Sequence, residues 1–271
     1  MASAASAADT AARQQIVSRT DAKGDVRIAA TIRGSGPLVV LVPSLGRGGA
    51  DFDDLATRLA AAGFEAAAID PRGVGASTGP MEGLTLADYA ADVVAVARAL
   101  SPKPAVLVGH AFGNRVARAT AAADPGAVSA LVLLAAGGQV APTADASKAL
   151  RDVFDVSLSS GDHLAAVQKA FFAPGNDPSV WLEGWNPTVM RAQGAALRAT
   201  GPETWVGAGQ ADILIVQAED DVIAPPANAE ALAKAYPSRV KVVLLPHAGH
   251  AMLPEQPTAV ADIVIGFLRN R

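Results

Sequence analysis

Apolar residues along this chain fall into two rhythms. Short, nearly continuous apolar runs occupy residues 38–42, 66–69, 105–108, 131–134, 213–216 and 240–245. Unbroken rather than alternating runs suit strands covered on both faces. Between them, residues 51–62, 86–100 and 111–123 carry apolar positions at helical spacing. The first of these stops at Gly63, the second at Ser101-Pro102 and the third near Asp124-Pro125-Gly126, each a helix terminator. Strand and helix in alternation predict an α/β chain with a doubly wound, mostly parallel sheet. Ahead of this, residues 16–19 and 26–32 flank the turn 21–24 and predict an antiparallel opening hairpin.

One stretch breaks the rhythm. Residues 140–211 contain no convincing strand, yet hold Phe154, Phe171, Phe172, Trp181, Trp185 and Trp205, six of the chain's twelve aromatic residues. Regular alternation resumes at Ile213. The pattern predicts a core of residues 13–139 and 212–271, interrupted by a helical lid at 140–211. Ligand crevices in open α/β sheets lie at the C-terminal strand edge, where such a lid would sit. Large apolar side chains there would make a water-poor pocket, so Phe154, Phe172, Trp181 and Trp185 are candidate substrate contacts.

Composition narrows the function classes. The chain has 271 residues, 22 Lys plus Arg against 26 Asp plus Glu, a net charge of −4, and no cysteine. Zero cysteine excludes disulfide scaffolds, thiolate metal sites and a thiol nucleophile. Mild acidity without a basic block argues against nucleic-acid partners. No apolar run approaches the roughly 20 residues of a membrane-spanning helix, so no membrane partner is expected. Residues 1–12 are Ala/Ser-rich, with no basic start and only a weak apolar stretch. They read as a tail rather than a secretory leader, and a cytoplasmic protein is expected. Four histidines without paired spacing are a poor metal set, and no G-x-G-x-x-G follows a strand, so neither a metal nor another cofactor is expected. A small-molecule substrate is expected, and the pattern leaves the oligomeric state open.

The richest segment is Gly109-His110-Ala111-Phe112-Gly113, where an apolar run meets a helical stretch. Glycines at this spacing permit the sharp strand-to-helix turn of a nucleophile elbow. Further landmarks follow the same order: Leu41-Val42-Pro43-Ser44-Leu45-Gly46, then Asp70-Pro71-Arg72-Gly73-Val74-Gly75-Ala76-Ser77, Asp221-Val222-Ile223-Ala224-Pro225, and Ala248-Gly249-His250. On these motifs the chain resembles the α/β-hydrolase superfamily, from about residue 26 to 268. The resemblance implies an oxyanion hole from the N–H groups of Leu45 and Phe112, an acid at Asp221 and a base at His250. Asp220 and His247 are the neighbouring rivals, and the motif spacing selects Asp221 and His250. The family's epoxide hydrolases use lid tyrosines, but Tyr89 and Tyr236 both lie outside the insertion. The resemblance therefore implies an ester or lactone substrate.

The chain departs from the family at the elbow itself. Ala111 stands where the family has Ser or Asp, and a methyl group cannot attack a carbonyl. Three readings stay open. In the first, the hydroxyl was deleted by engineering to trap substrate. A natural branch could use His250 and Asp221 as a general base on water or on a substrate proton. The chain could also be a non-catalytic binding module. Ser44 and Arg47 on the first loop are candidate ligand contacts, through a hydroxyl and a cation. His110 is expected to be structural.

Overall fold

Alternation in the first residues produces the expected hairpin. In the computed structural model, which describes residues 11–271, β1 (Arg13–Asp21) pairs antiparallel with β2 (Gly24–Arg33). The expected tail at 1–12 lies, up to residue 10, outside the described residues.

The continuous apolar runs form the sheet interior as β3 (Leu38–Val42), β4 (Glu65–Ile69), β5 (Ala105–His110), β6 (Val128–Leu134), β7 (Asp212–Ala218) and β8 (Val240–Leu245). Their order is β1-β2-β4-β3-β5-β6-β7-β8. Among the named strands of the described residues only the β1–β2 and β2–β4 pairings are antiparallel, and the six strands from β4 to β8 in that order run parallel.

Helices cover both faces: α1 (Asp53–Ala61), α2 (Leu86–Leu100), α3 (Phe112–Ala123), α4 (Ala144–Asp152), α5 (Ser160–Phe171), α6 (Pro187–Arg198), α7 (Ala227–Ala235), α8 (Met252–Glu255) and α9 (Pro257–Arg269). Two-residue periodicity sorts the strand side chains into two cores. Val40, Val42, Leu107, Leu131, Leu133 and Ile213 join residues of α2 and α3. Val39, Leu41, Val108, Val132, Leu134 and Leu214 join residues of α1 and α9. Burial on both faces explains why these strands read as solid rather than alternating.

Between β6 and β7 the chain is helical, with α4, α5 and α6 and no strand. An aromatic cluster ties this segment to the sheet edge: Phe154, Phe171, Phe172 and Trp181 pack with Ala251, Leu45 and Ile223. No helix among the described residues is long and apolar enough to cross a membrane.

The strand order fixes where a ligand can bind. The chain passes from β3 to β4 on one side and then to β5 on the other, so the order reverses at β3. Loops leaving β3 and β5 therefore part in opposite directions and open a crevice at their C-terminal ends. That crevice receives Ser44 and Leu45 from one loop and Ala111 and Phe112 from the other.

Candidate active site

The elbow is a strained turn. Ala111 has φ 51° and ψ −108°, a conformation that L-residues rarely adopt. Such a residue costs on the order of 1–3 kcal/mol unless its surroundings hold it. Its N–H donates to the Leu134 carbonyl at 3.0 Å, and its carbonyl accepts from the Asn114 N–H at 3.1 Å. The flanking glycines answer a steric need. A Cβ on Gly109 would lie 2.4 Å from the Gly113 oxygen, and one on Gly113 would lie 2.0 Å from the Val42 oxygen. Strand and helix cross too closely there for any side chain.

His250 arrives on the loop between β8 and α8, and Asp221 on the loop after β7. Nδ1 of His250 lies 3.0 Å and 2.9 Å from the two carboxylate oxygens of Asp221. The carboxylate is itself fixed, accepting from the N–H groups of Ile223 at 2.9 Å and Ala224 at 2.7 Å. Both side chains are buried. A carboxylate can only accept, so Nδ1 carries the proton and Nε2 keeps its lone pair. Nε2 has no hydrogen-bond partner among the described residues, and the imidazole forms part of the cavity wall. The rivals Asp220 and His247 are exposed on the surface.

His110 supports this loop from below. Its Nε2 lies 2.8 Å from the His250 carbonyl. A carbonyl can only accept, so His110 donates through Nε2, and its buried Nδ1 is left without a partner. Burial pushes its pKa down to about 3, and the neighbouring His250 adds to the effect. Glu255 holds the same loop from the side. It accepts from the Gly249 N–H at 2.8 Å, from the Ala173 N–H at 2.7 Å and from Asn176 Nδ2 at 2.7 Å. One carboxylate thus ties the histidine loop to the turn after α5 of the helical segment. Burial is the main cause raising its pKa.

The cavity at this centre measures about 190 Å³. Ser44, Leu45, Ala111, Phe112 and His250 form one part of its wall. Leu150, Phe171, Leu197 and Ile223 form an apolar part, and Arg115 and Gly137 complete a third side. Neither the Leu45 nor the Phe112 N–H donates to another group among the described residues. Ser44 Oγ likewise makes no hydrogen bond there.

Five expected contacts are not on this wall. Phe154, Phe172, Trp181 and Trp185 pack as a layer behind Phe171 instead. Trp185 stacks on Phe171 with ring centroids 5.2 Å apart, and Phe154 meets Trp185 edge-on at 5.3 Å. Trp181 meets Phe172 edge-on at 5.8 Å. Their mutual packing leaves Phe171 as the aromatic of the helical segment that reaches the cavity. Arg47 is held between the rings of Trp181 and Trp185, 4.4 Å from each centroid, and pairs with Asp51 at 2.5 Å. Its charge is already satisfied, so it acts as a peg between the first loop and the helical segment. Sequence reasoning missed Phe171, Leu150, Leu197 and Arg115 as wall residues. Arg115 had one available signal, a four-residue spacing from Ala111 that places it on the same helix face.

Comparison with known proteins agrees with this fold. The family model for the alpha/beta hydrolase fold matches residues 37–257. The chain belongs to the α/β-hydrolase family. A relative named "Putative carbamate hydrolase RutD", from Variovorax paradoxus, is 30% identical over 86% of this chain and 92% of its own. A 2-(acetamidomethylene)succinate hydrolase from Mesorhizobium japonicum is 35% identical over 47% of this chain and 45% of its own. The solved structure of an Exiguobacterium antarcticum esterase superposes with a TM-score of 0.79, covering 94% of this chain and 99% of that one, at 19% identity, a likeness of fold. By family, this α/β-hydrolase is an enzyme.

Proposed function

We propose that this α/β-hydrolase cleaves a small, largely apolar ester or lactone by direct attack of water, with His250 as general base and no acyl-enzyme. The observation that carries this reading is the pairing of an intact base with an inert elbow. His250 has its Nδ1–H on Asp221 and a free Nε2, while Ala111 on the same wall can form no bond to substrate. Water at the Ala111 methyl would fill the space a serine hydroxyl takes in the family. His250 Nε2 accepts a proton from that water as its oxygen attacks the carbonyl carbon. The carbonyl oxygen becomes an oxyanion and accepts from the N–H groups of Leu45 and Phe112. Collapse expels the alkoxide, which takes the proton back from His250. Asp221 holds the imidazole tautomer and balances the transient positive charge. The apolar side of the cavity suits a hydrocarbon body, and relatives named hydrolases and an esterase support the reaction type.

The backbone at 111 favours a second reading, in which the present chain is a hydroxyl-deleted form of an acyl-transfer enzyme. It keeps φ 51°, the strained turn that presents a nucleophile. One experiment separates the two. The unaltered protein and Ala111→Ser are each treated with a fluorophosphonate and read by intact mass, beside an assay of 4-nitrophenyl acetate and γ-butyrolactone. Water-directed hydrolysis predicts turnover by the Ala111 protein with no covalent adduct. Turnover and labelling confined to Ala111→Ser would favour the second reading. No turnover by either form would leave a binding module and sink both.

A further inference from the structure

Arg115 lies one helical turn beyond the elbow residue, on α3. Helical side chains lean toward the N-terminus, so a residue four positions on is carried back over Ala111. Its side chain shares the cavity wall with His250, Ala111 and Leu45. Among the described residues it makes no ion pair and no hydrogen bond. Its guanidinium carbon lies 5.8 Å from the centroid of Trp205, a cation–π contact that leaves all its N–H donors unused.

The next turn repeats the pattern. Arg118 is buried and uses Nη2 on Asn114 Oδ1 at 2.7 Å and on the Gly137 carbonyl at 2.6 Å, with no carboxylate partner. This contrasts with the other buried arginines, Arg47 and Arg72. Arg47 is paired with Asp51, and Arg72 and Arg19 with Asp92. Placing a cation in a low-dielectric site without a counter-ion is costly. Burial lowers the pKa of Arg115, and burial with the charge of Arg115 lowers that of Arg118 to about 9. Arg115 is thus a cation on the cavity wall with no counter-ion among the described residues.

We propose that Arg115 binds a carboxylate of the substrate, so that the substrate is a small organic acid carrying its scissile ester or lactone elsewhere in the same molecule. A guanidinium offers a planar pair of N–H donors that matches two carboxylate oxygens. Leu150, Phe171, Leu197 and Ile223 enclose the hydrocarbon between the two ends. A volume of about 190 Å³ is below the ~300–1,000 Å³ of pockets for drug-sized ligands, which selects a small acid. The scissile end of this proposal rests on the hydrolysis reading. The carboxylate end stands on Arg115 alone.

The test separates the two ends. Benzoate and its neutral analogue benzamide are titrated calorimetrically at pH 7 into the unaltered protein, Arg115→Gln and Arg115→Lys. The expected result is a preference for benzoate of tenfold or more in the unaltered protein, reduced in Arg115→Lys and abolished in Arg115→Gln. Thermal unfolding of the three proteins without ligand verifies the fold. Arg115→Gln is expected to unfold at an equal or higher temperature, because it removes an uncompensated cation. Equal binding of the two probes, no binding of benzoate to the unaltered protein, or a preference that survives in Arg115→Gln would overturn the proposal. Binding is read without turnover. A benzoate preference in a protein that hydrolyses nothing would sink only the hydrolysis reading, and hydrolysis without the preference would sink only the role of Arg115.

Discussion

Ala111 combines two costs, a strained backbone and no hydroxyl. Glycine reaches its φ and ψ more easily, so Ala111→Gly should stabilise the protein by about 1 kcal/mol after the entropy of the more flexible unfolded chain is counted. Chemical denaturation at pH 7 measures this, and a destabilised variant would show that the turn is not strained. His110 makes an opposite, pH-dependent contribution. Its folded pKa of about 3 lies far below the ordinary 6.5, so the unfolded chain binds the extra proton between those values. Stability from this group is therefore present above pH 6.5 and lost as pH falls toward 3. At pH 5 the loss is about 2 kcal/mol relative to pH 7. His110→Gln should flatten the change in unfolding free energy between pH 7 and pH 5 by that amount, and an unchanged slope would contradict it. At this scale His250 and Asp221 were legible, because fixed spacings to glycine and proline identify them. Arg115 was not, since a helical arginine reads as a solvated charge until the chain on its far side is known.

Element by element, the loop after β4 shows how much of a motif can be structural. Arg72 is fully buried and pairs with Asp92 of α2 at 2.7 Å and 3.0 Å, and Arg19 of β1 adds a further contact at 2.6 Å. Ser77 Oγ donates to the Asp70 carbonyl and accepts from the Ala29 N–H. The Asp70 side chain accepts from the Gly49 N–H at 2.8 Å. These bonds join β1, β2, β4 and α2, and none of the residues that make them lines the cavity. Asp92→Ala would leave the buried Arg72 charge with only the longer Asp21 contact at 3.6 Å and should cost about 3 kcal/mol, while Arg72→Met with Asp92→Leu should recover much of the loss. Denaturant midpoints of the two variants measure both. Equal midpoints for the single and double variants would show that the stranded charge is not the cause. Strand positions were legible because unbroken apolar runs have few alternatives, and the helix at Leu86–Leu100 was read to its exact ends. Inside the insertion no single period dominates. Its helices satisfy both the sheet edge and each other, so α4, α5 and α6 left only an aromatic-rich gap in the pattern.

For the whole molecule, topology and chemistry meet at one place. Reversal of strand order at β3 opens the crevice. The β3 and β5 loops bring Leu45 and Phe112, the β7 and β8 loops bring the hydrogen-bonded pair Asp221 and His250, and the helical segment closes the apolar side. Motif order along the chain made the core and this loop set legible. It did not show which aromatics face inward, because Phe171 and Phe172 are adjacent and only the exit direction of α5 decides between them. The central claim is that His250, working on water beside an inert elbow, performs the reaction. The most direct measurement is kcat/KM of the otherwise unaltered Ala111 protein and of His250→Gln on the same ester. General-base catalysis predicts a fall of about 10²–10⁴-fold in the variant. Equal rates in the two proteins would contradict the account.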